Sequence, residues 1–328
     1  MADNPDRDSV ADLIHAVGRR SVPPREDYER VLGASRIAWQ QAVRQRARRR
    51  FTYALAAGVA FVALGAGVLR QLHESRPAVA AGMLNTVEGA VFAGTAAGDG
   101  WRWVTQVNVP LAAGTRLRTD ASGRAALLLL PDTSLRIAGA TELILQAGNR
   151  VELLSGRVYL DTKHASGGAV EIATRFGTLR DVGTQFEVLA TGTALRVRTR
   201  EGAVRLTRGR LQAVLECTVS EELRIDSQGR IERSRIATHD ADWAWAELLA
   251  EPPRGPELSL QKFLDWVARE SGRGLRYDSV ETEARVREIV LHGVTPELAP
   301  LEAMEVALAT TDIEFSLLDD GTILLRHR

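Results

Sequence analysis

In the hexapeptide DVGTQF, residues 181–186, a glycine carbonyl stands directly before a threonine hydroxyl. A Thr184 hydroxyl held against the Gly183 carbonyl can attack it, moving the acyl group from nitrogen to oxygen and opening the chain without a protease. The same pair also suits an ordinary turn-to-strand junction, in which a β-branched residue begins the strand. Gly192 and Thr193 repeat the pair in what reads as a loop, where little would hold the geometry. Four carboxylates, Glu142, Glu152, Asp161 and Asp181, fall at turn-rich positions of a β pattern, and such residues usually sit at solvated strand ends. His15, His73, His164, His239, His292 and His327 are scattered, with no two at helical metal-ligand spacing, and Cys217 is the only cysteine. That inventory speaks against a structural zinc site and excludes an internal disulfide. With no nucleotide loop, serine elbow or cysteine-histidine set, the chain is expected not to act as an enzyme on an external substrate and to need no cofactor.

The elements that would carry these residues differ along the chain. From Phe51 to Leu69 there is no charged side chain, and at about 1.5 Å per residue that run spans about 28 Å, close to the hydrocarbon thickness of a bilayer. A transmembrane helix is expected over 51–70, uncleaved, because a signal peptide would need the whole of the first 50 residues as its n-region. Arg36, Arg44, Arg46, Arg48, Arg49 and Arg50 precede the run with no acid among residues 30 to 50, whereas Arg70 and Arg76 follow beside Glu74. Positive flanks face the cytoplasm, so the N-terminus is expected there and the C-terminus in the periplasm. Lys+Arg and Asp+Glu number 42 each, so no strong net field calls for a nucleic-acid partner. In the expected cytoplasmic region, 1–50, Val10, Leu13, Ile14 and Val17 form an apolar stripe at helical spacing, Pro23 and Pro24 break it, and a second helical pattern carries Ile37, Trp39 and Val43. Two short helices bury little apolar surface, so the stripe packs either within the head or onto a partner.

Beyond the basic and apolar segments the pattern changes to period two. Over 84–236, runs such as ALLLL, RVYLDT, QFEVLATG and ALRVRT alternate with glycine-containing turns about every ten residues, which describes an all-β domain, either solenoid-like or a sandwich. Residues 237–257, with Trp243, Leu248 and Leu249 ahead of Pro252 and Pro253, read as a linker with a short amphipathic helix suited to docking. Residues 258–328 alternate strand and helix in a βαβ-βαββ order, with Ser259 as a helix cap, Gly272 as its stop and a hairpin across Asp320 and Gly321.

The stretches LPDTSLRIAGATEL, VELLSGRVYLD, FGTLRDVGTQFEV and VRTREGAVRL together resemble the FecR family of membrane-anchored anti-sigma factors, with Thr133 where family members commonly carry glycine. ESGRGLRYD and LLDDGTILL are similar to the short N-terminal domain (STN) of secretins and TonB-dependent receptors. The resemblance implies a multi-domain, membrane-anchored chain: a short α-helical head, one transmembrane helix, a β domain and a small α+β domain. Its implied partners are a cytoplasmic ECF sigma factor, gripped through Leu13, Ile14, Val17 and Trp39, and the signalling domain of a TonB-dependent outer-membrane receptor, in iron or other nutrient uptake. It further implies self-cleavage between Gly183 and Thr184. A rival reading is a periplasmic envelope-assembly or glycan-binding protein, for which residues 1–50 would be dispensable.

Overall fold

Alternating Leu, Val and Ile separated by polar residues give strands one apolar face, and a computed structural model shows two such faces closed on each other. It describes residues 80–95, 100–130, 133–147, 149–162, 169–181, 183–209, 213–293 and 298–328, together with 13, 15–18, 24–27, 29, 30, 33 and 36. The chain forms two compact units, 1–77 and 78–328.

Seventeen described strands of the second unit make up its β body: β1 (Ala80–Glu88), β2 (Val91–Thr95), β3 (Arg102–Trp103), β4 (Val109–Ala112), β5 (Thr115–Thr119), β6 (Arg124–Leu130), β7 (Thr133–Ile137), β8 (Glu142–Gln146), β9 (Arg150–Thr162), β10 (Glu171–Thr174), β11 (Gly177–Asp181), β12 (Gln185–Ala190), β13 (Ala194–Glu201), β14 (Ala203–Arg208), β15 (Ala213–Thr218), β16 (Glu221–Asp226) and β17 (Ile231–Arg235). One layer runs β4-β1-β6-β7-β9-β12-β13-β16-β17, and the other β3-β2-β5-β8-β9-β10-β11-β14-β15. From β10 onward the chain deals successive strand pairs to alternate layers, so the body grows sideways from its N-terminal end. Leu127, Leu135, Phe186, Val188 and Val197 of one layer and Leu117, Leu143, Ile172, Leu179 and Leu206 of the other share a single buried core.

Strand β9 belongs to both layers. Its first half pairs with β8 and its second half with β7 and β12. The bend uses a bulge against β8 around Leu154 and then Gly156, whose φ of 98° favours glycine. A Cβ at Gly156 would lie 2.4 Å from the Cα of Thr141, so no side chain fits.

After β17, a 3-10 turn (Ala241–Trp243) and α1 (Ala244–Glu247) lead into the C-terminal module: β18 (Leu258–Ser259), α2 (Leu260–Ser271), β19 (Leu275–Tyr277), α3 (Val280–Glu288), β20 (Val290–Leu291), α4 (Pro300–Leu308), β21 (Ile313–Leu317) and β22 (Ile323–His327). Ser259 accepts a hydrogen bond from the Lys262 N–H and begins α2, and Gly272 ends it in the left-handed region at φ 63°. The sheet β19-β22-β21 packs with α2 and α4 around Leu264, Met304 and Leu325. Helix α3 departs from the βαβ-βαββ order expected. Its stripe is weak, with only Thr282 and Val286 buried, so periodicity in the sequence gave little sign of it.

The membrane-anchored fold class needs correction. Strand dominates the described residues, and no described helix is long and apolar enough to cross a membrane. The longest described helix of the second unit, the 12-residue α2, is only about 18 Å long and turns Phe263, Leu264 and Val267 inward and Gln261, Lys262 and Asp265 outward, the pattern of a helix seated on a protein core. Residues 51–70, including Phe51 and Leu69, lie outside the described residues.

Two outcomes test this architecture. Gly156→Ala forces a Cβ onto backbone and should cost about 1–3 kcal/mol or more, read as a lower urea midpoint at unchanged slope. Burial pushes the Cys217 thiol up to about 11. A raised thiol pKa stabilises the fold below the ordinary value of about 8.5. That contribution fades as pH rises toward about 11, so native Cys217 should resist a thiol reagent at pH 8 and react on alkalinisation or in denaturant.

Candidate functional site

Thr184 enters β12 completely buried. Its N–H donates to the Thr162 Oγ1 at 2.7 Å, while its carbonyl accepts from the Thr162 N–H and hydroxyl, both at 3.0 Å. Its own hydroxyl has no hydrogen-bond partner among the described residues. The Thr184 backbone is thus held at both its N–H and its carbonyl while its hydroxyl is left unengaged. Gly183 has φ 70°, and a Cβ there would meet open space, so backbone conformation alone demands glycine. Gly202, at φ 74° in the β13–β14 turn, lies on the same peptide: a Cβ there would fall 2.5 Å from the Gly183 oxygen and 2.7 Å from the Thr184 Cγ2. Phe186 and Val188 continue the strand into the core, and Val182 lies outside the described residues.

The other candidates do not form a site of that kind. Thr193 is exposed in a turn where the Thr191 hydroxyl accepts the N–H groups of Thr193 and Ala194. The four carboxylates each engage a different group: Glu142 pairs with Arg116, Glu152 accepts from the Gln146 side chain at 2.7 Å, Asp181 accepts from the Val170 N–H at 2.5 Å, and Asp161 pairs with Arg269 at 2.5 Å. In the head unit Leu13 and Val17 are 66% and 75% exposed, Gly18 in the left-handed region ends the first helix ahead of the proline pair, and Ile14 and Trp39 lie outside the described residues.

A second feature was not foreseen from the sequence. On β13, Leu195 and Val197 turn into the core, while Arg196 and Arg198 turn to the outer face. Arg200, two residues further on, faces the same outer side, and a bulge between the pairs Gln185–Glu201 and Phe186–Thr199 leaves it as the extra residue of β13. Linker and C-terminal module cover this face, leaving Arg136, Arg198 and Arg200 no more than 3% exposed. Arg200 donates at 2.6 Å to the Thr238 carbonyl, the Glu270 carbonyl and the Glu247 carboxylate. Arg136 bonds the Ala246 carbonyl and pairs with Glu270, each at 2.8 Å. Arg198 reaches Asp240 and Asp242 at 3.2 Å and Glu222 at 3.3 Å. Trp243, fully buried, lies under the Arg198 and Arg200 guanidinium groups at 4.7 and 4.8 Å and meets Tyr159 edge-on at 5.9 Å. Burial works against the Arg136 charge, yet Glu270 and Asp161 beside it raise its pKa. Burial likewise raises the Tyr159 hydroxyl, which stays neutral. The outward alternation in ALRVRTR and the acids flanking the tryptophans in DADWAWAE were the available signals, but an arginine on an outer strand face ordinarily implies solvent.

The class defined by these observations is a two-layer β body that grips a small α/β module through buried ion pairs. Residues 115–205 match the model of the family described as FecR protein, so the chain carries a FecR domain, running from β5 into β14. Two crystal structures of a candidate anti-sigma factor from Parabacteroides distasonis ATCC 8503, at 2.50 and 1.65 Å resolution, are similar at 15% identity with a TM-score of 0.34. They match 65% of this chain and 98% and 99% of their own, a likeness too slight to carry an argument. No curated protein matches.

Trp243→Ala should cost about 3–5 kcal/mol, because it empties a packed site and removes two cation–π contacts. Limited proteolysis would then cut within 236–257 and release the C-terminal module, which the wild type retains.

Proposed function

We propose that this chain is a FecR-type regulator of a sigma factor. The FecR match over 115–205 carries the reading. Residues 1–50 bind a cytoplasmic ECF sigma factor, and the exposed Leu13 and Val17 supply apolar contact area with nothing else covering them among the described residues. The β body and its docked module receive a signal from the signalling domain of a TonB-dependent outer-membrane receptor, in iron or other nutrient uptake. Placement at the bacterial inner membrane, N-terminus cytoplasmic and C-terminus periplasmic, belongs to the proposal and rests on sequence alone.

Cleavage at Gly183–Thr184 is the covalent step in this reading. The Thr184 oxygen attacks the Gly183 carbonyl carbon, the hydroxyl proton passes to the departing amide nitrogen, and the C–N bond gives way to an ester. Water then hydrolyses the ester, leaving a carboxylate on Gly183 and a free amine and hydroxyl on Thr184. The partnerless hydroxyl and the half-buried, open Gly183 support both stages.

Full-length chain bearing Leu13→Asp and Val17→Asp should lose capture of the sigma factor while the wild type retains it. Equal capture by both, or deletion of residues 1–50 without effect on sigma-dependent transcription, would overturn the regulatory reading. On an immunoblot, wild type should give two fragments meeting at Thr184, Thr184→Ala a single full-length band, and Thr184→Ser should keep cleaving.

A further inference from the structure

The Gly183–Thr184 peptide is held from two sides, and the two supports converge on one side chain of the C-terminal module. On one side Thr162 of β9 closes three hydrogen bonds on Thr184. The residue before it, Asp161, is fully buried and pairs with Arg269 at 2.5 Å. On the other side Gly202 lies against the Gly183 oxygen. The residue before it, Glu201, is in register with Gln185 and pairs with the other arm of the same Arg269. Arg269 sits in the last turn of α2, about seventy residues further along the chain.

We propose that Arg269 is a positioning residue for the Gly183–Thr184 peptide: its guanidinium clasps Asp161 and Glu201 and so makes the geometry of that bond depend on docking of the C-terminal module. The inference rests on the cleavage reading for its consequence, though the clasp has its own physical signature. Two charge-assisted bonds from one planar group fix the separation of β9 and β13 on either side of the β12 entry. Burial works against the Arg269 charge, but Asp161 and Glu201 beside it raise its pKa. Arg200, bulged out of β13 beside the Gln185–Glu201 pair, ties the same place to the Glu270 carbonyl. When the module is docked, the Thr184 oxygen is held to its carbonyl; when a partner lifts the module, β9 and β13 relax and the attack distance is lost. Chain opening would therefore answer to what the module binds.

The test compares full-length wild type, Arg269→Ala, Arg269→Lys and Glu201→Gln. The last changes a half-exposed side chain and spares the core. Misplacing a nucleophile by about 1 Å costs up to about a hundredfold in rate, so cleavage should slow about tenfold or more in Arg269→Ala, less in Glu201→Gln, and recover in part in Arg269→Lys. Hydrogen exchange in 183–186 should quicken in the same order while exchange in the β5–β8 core and the thermal midpoint of Glu201→Gln stay at wild-type values. Cleavage and exchange at wild-type levels in Arg269→Ala and Glu201→Gln would overturn the proposal. If wild type never cleaves, the cleavage reading fails and exchange decides the clasp: quickened in 183–186, it stands; unchanged, it falls.

Discussion

A guanidinium removed from water must find its counter-charges and hydrogen-bond acceptors in the protein, and Arg136, Arg198 and Arg200 meet that constraint only when the linker and C-terminal module lie over them. An apolar interface would tolerate sliding. A layer in which Arg200 needs the Thr238 and Glu270 carbonyls and the Glu247 carboxylate together admits one seating. Loss of one partner leaves a stranded charge, whereas replacing a whole pair with well-packed apolar groups is often neutral, so the layer contributes orientation more than net stability. Trp243 supplies the apolar part of the same contact, filling the space between the arginines and Tyr159 and keeping water out.

The β body makes that precise seating possible because it is rigid where it matters. Strand β9 stitches the two layers together, carrying Tyr159 and Asp161 to the outer face in its second half and Val151 and Leu153 into the core in its first. Strand β13 lies two places away, with β12 and Thr184 between them. The strand that follows directly on the candidate nucleophile is thus flanked by the two strands that carry the clasped carboxylates. The bulge at Arg200 falls at the same level, and its extra residue shifts the alternation so that Glu201 shares the outer side.

A buried Thr184 hydroxyl without a partner costs free energy, about 1–3 kcal/mol if it stays dry. Supplying it with one acceptor would have been simple: Thr162, on the facing strand, already answers the Thr184 backbone at both N–H and carbonyl. A satisfied backbone with an unengaged oxygen is the arrangement the proposed attack on the neighbouring carbonyl requires, and the left-handed Gly183 sets that carbonyl at the turn.

Much of this was legible in the residues themselves. Period two with glycine turns located the β body, Ser259 and Gly272 bounded α2, and the DVGTQF hexapeptide singled out Gly183 and Thr184, because caps, turns and left-handed positions are local chemistry carried by single residues. The weakly striped α3 was not visible that way, and a fold class resting on hydropathy at 51–70 gave way to one built from strands among the described residues. Nor could the sequence tell that arginines on an outward strand face are buried, or that Arg269 bridges Asp161 and Glu201. Alternation specifies which way a side chain points, but what lies in that direction depends on residues more than forty to a hundred positions away, and only the folded chain brings them together.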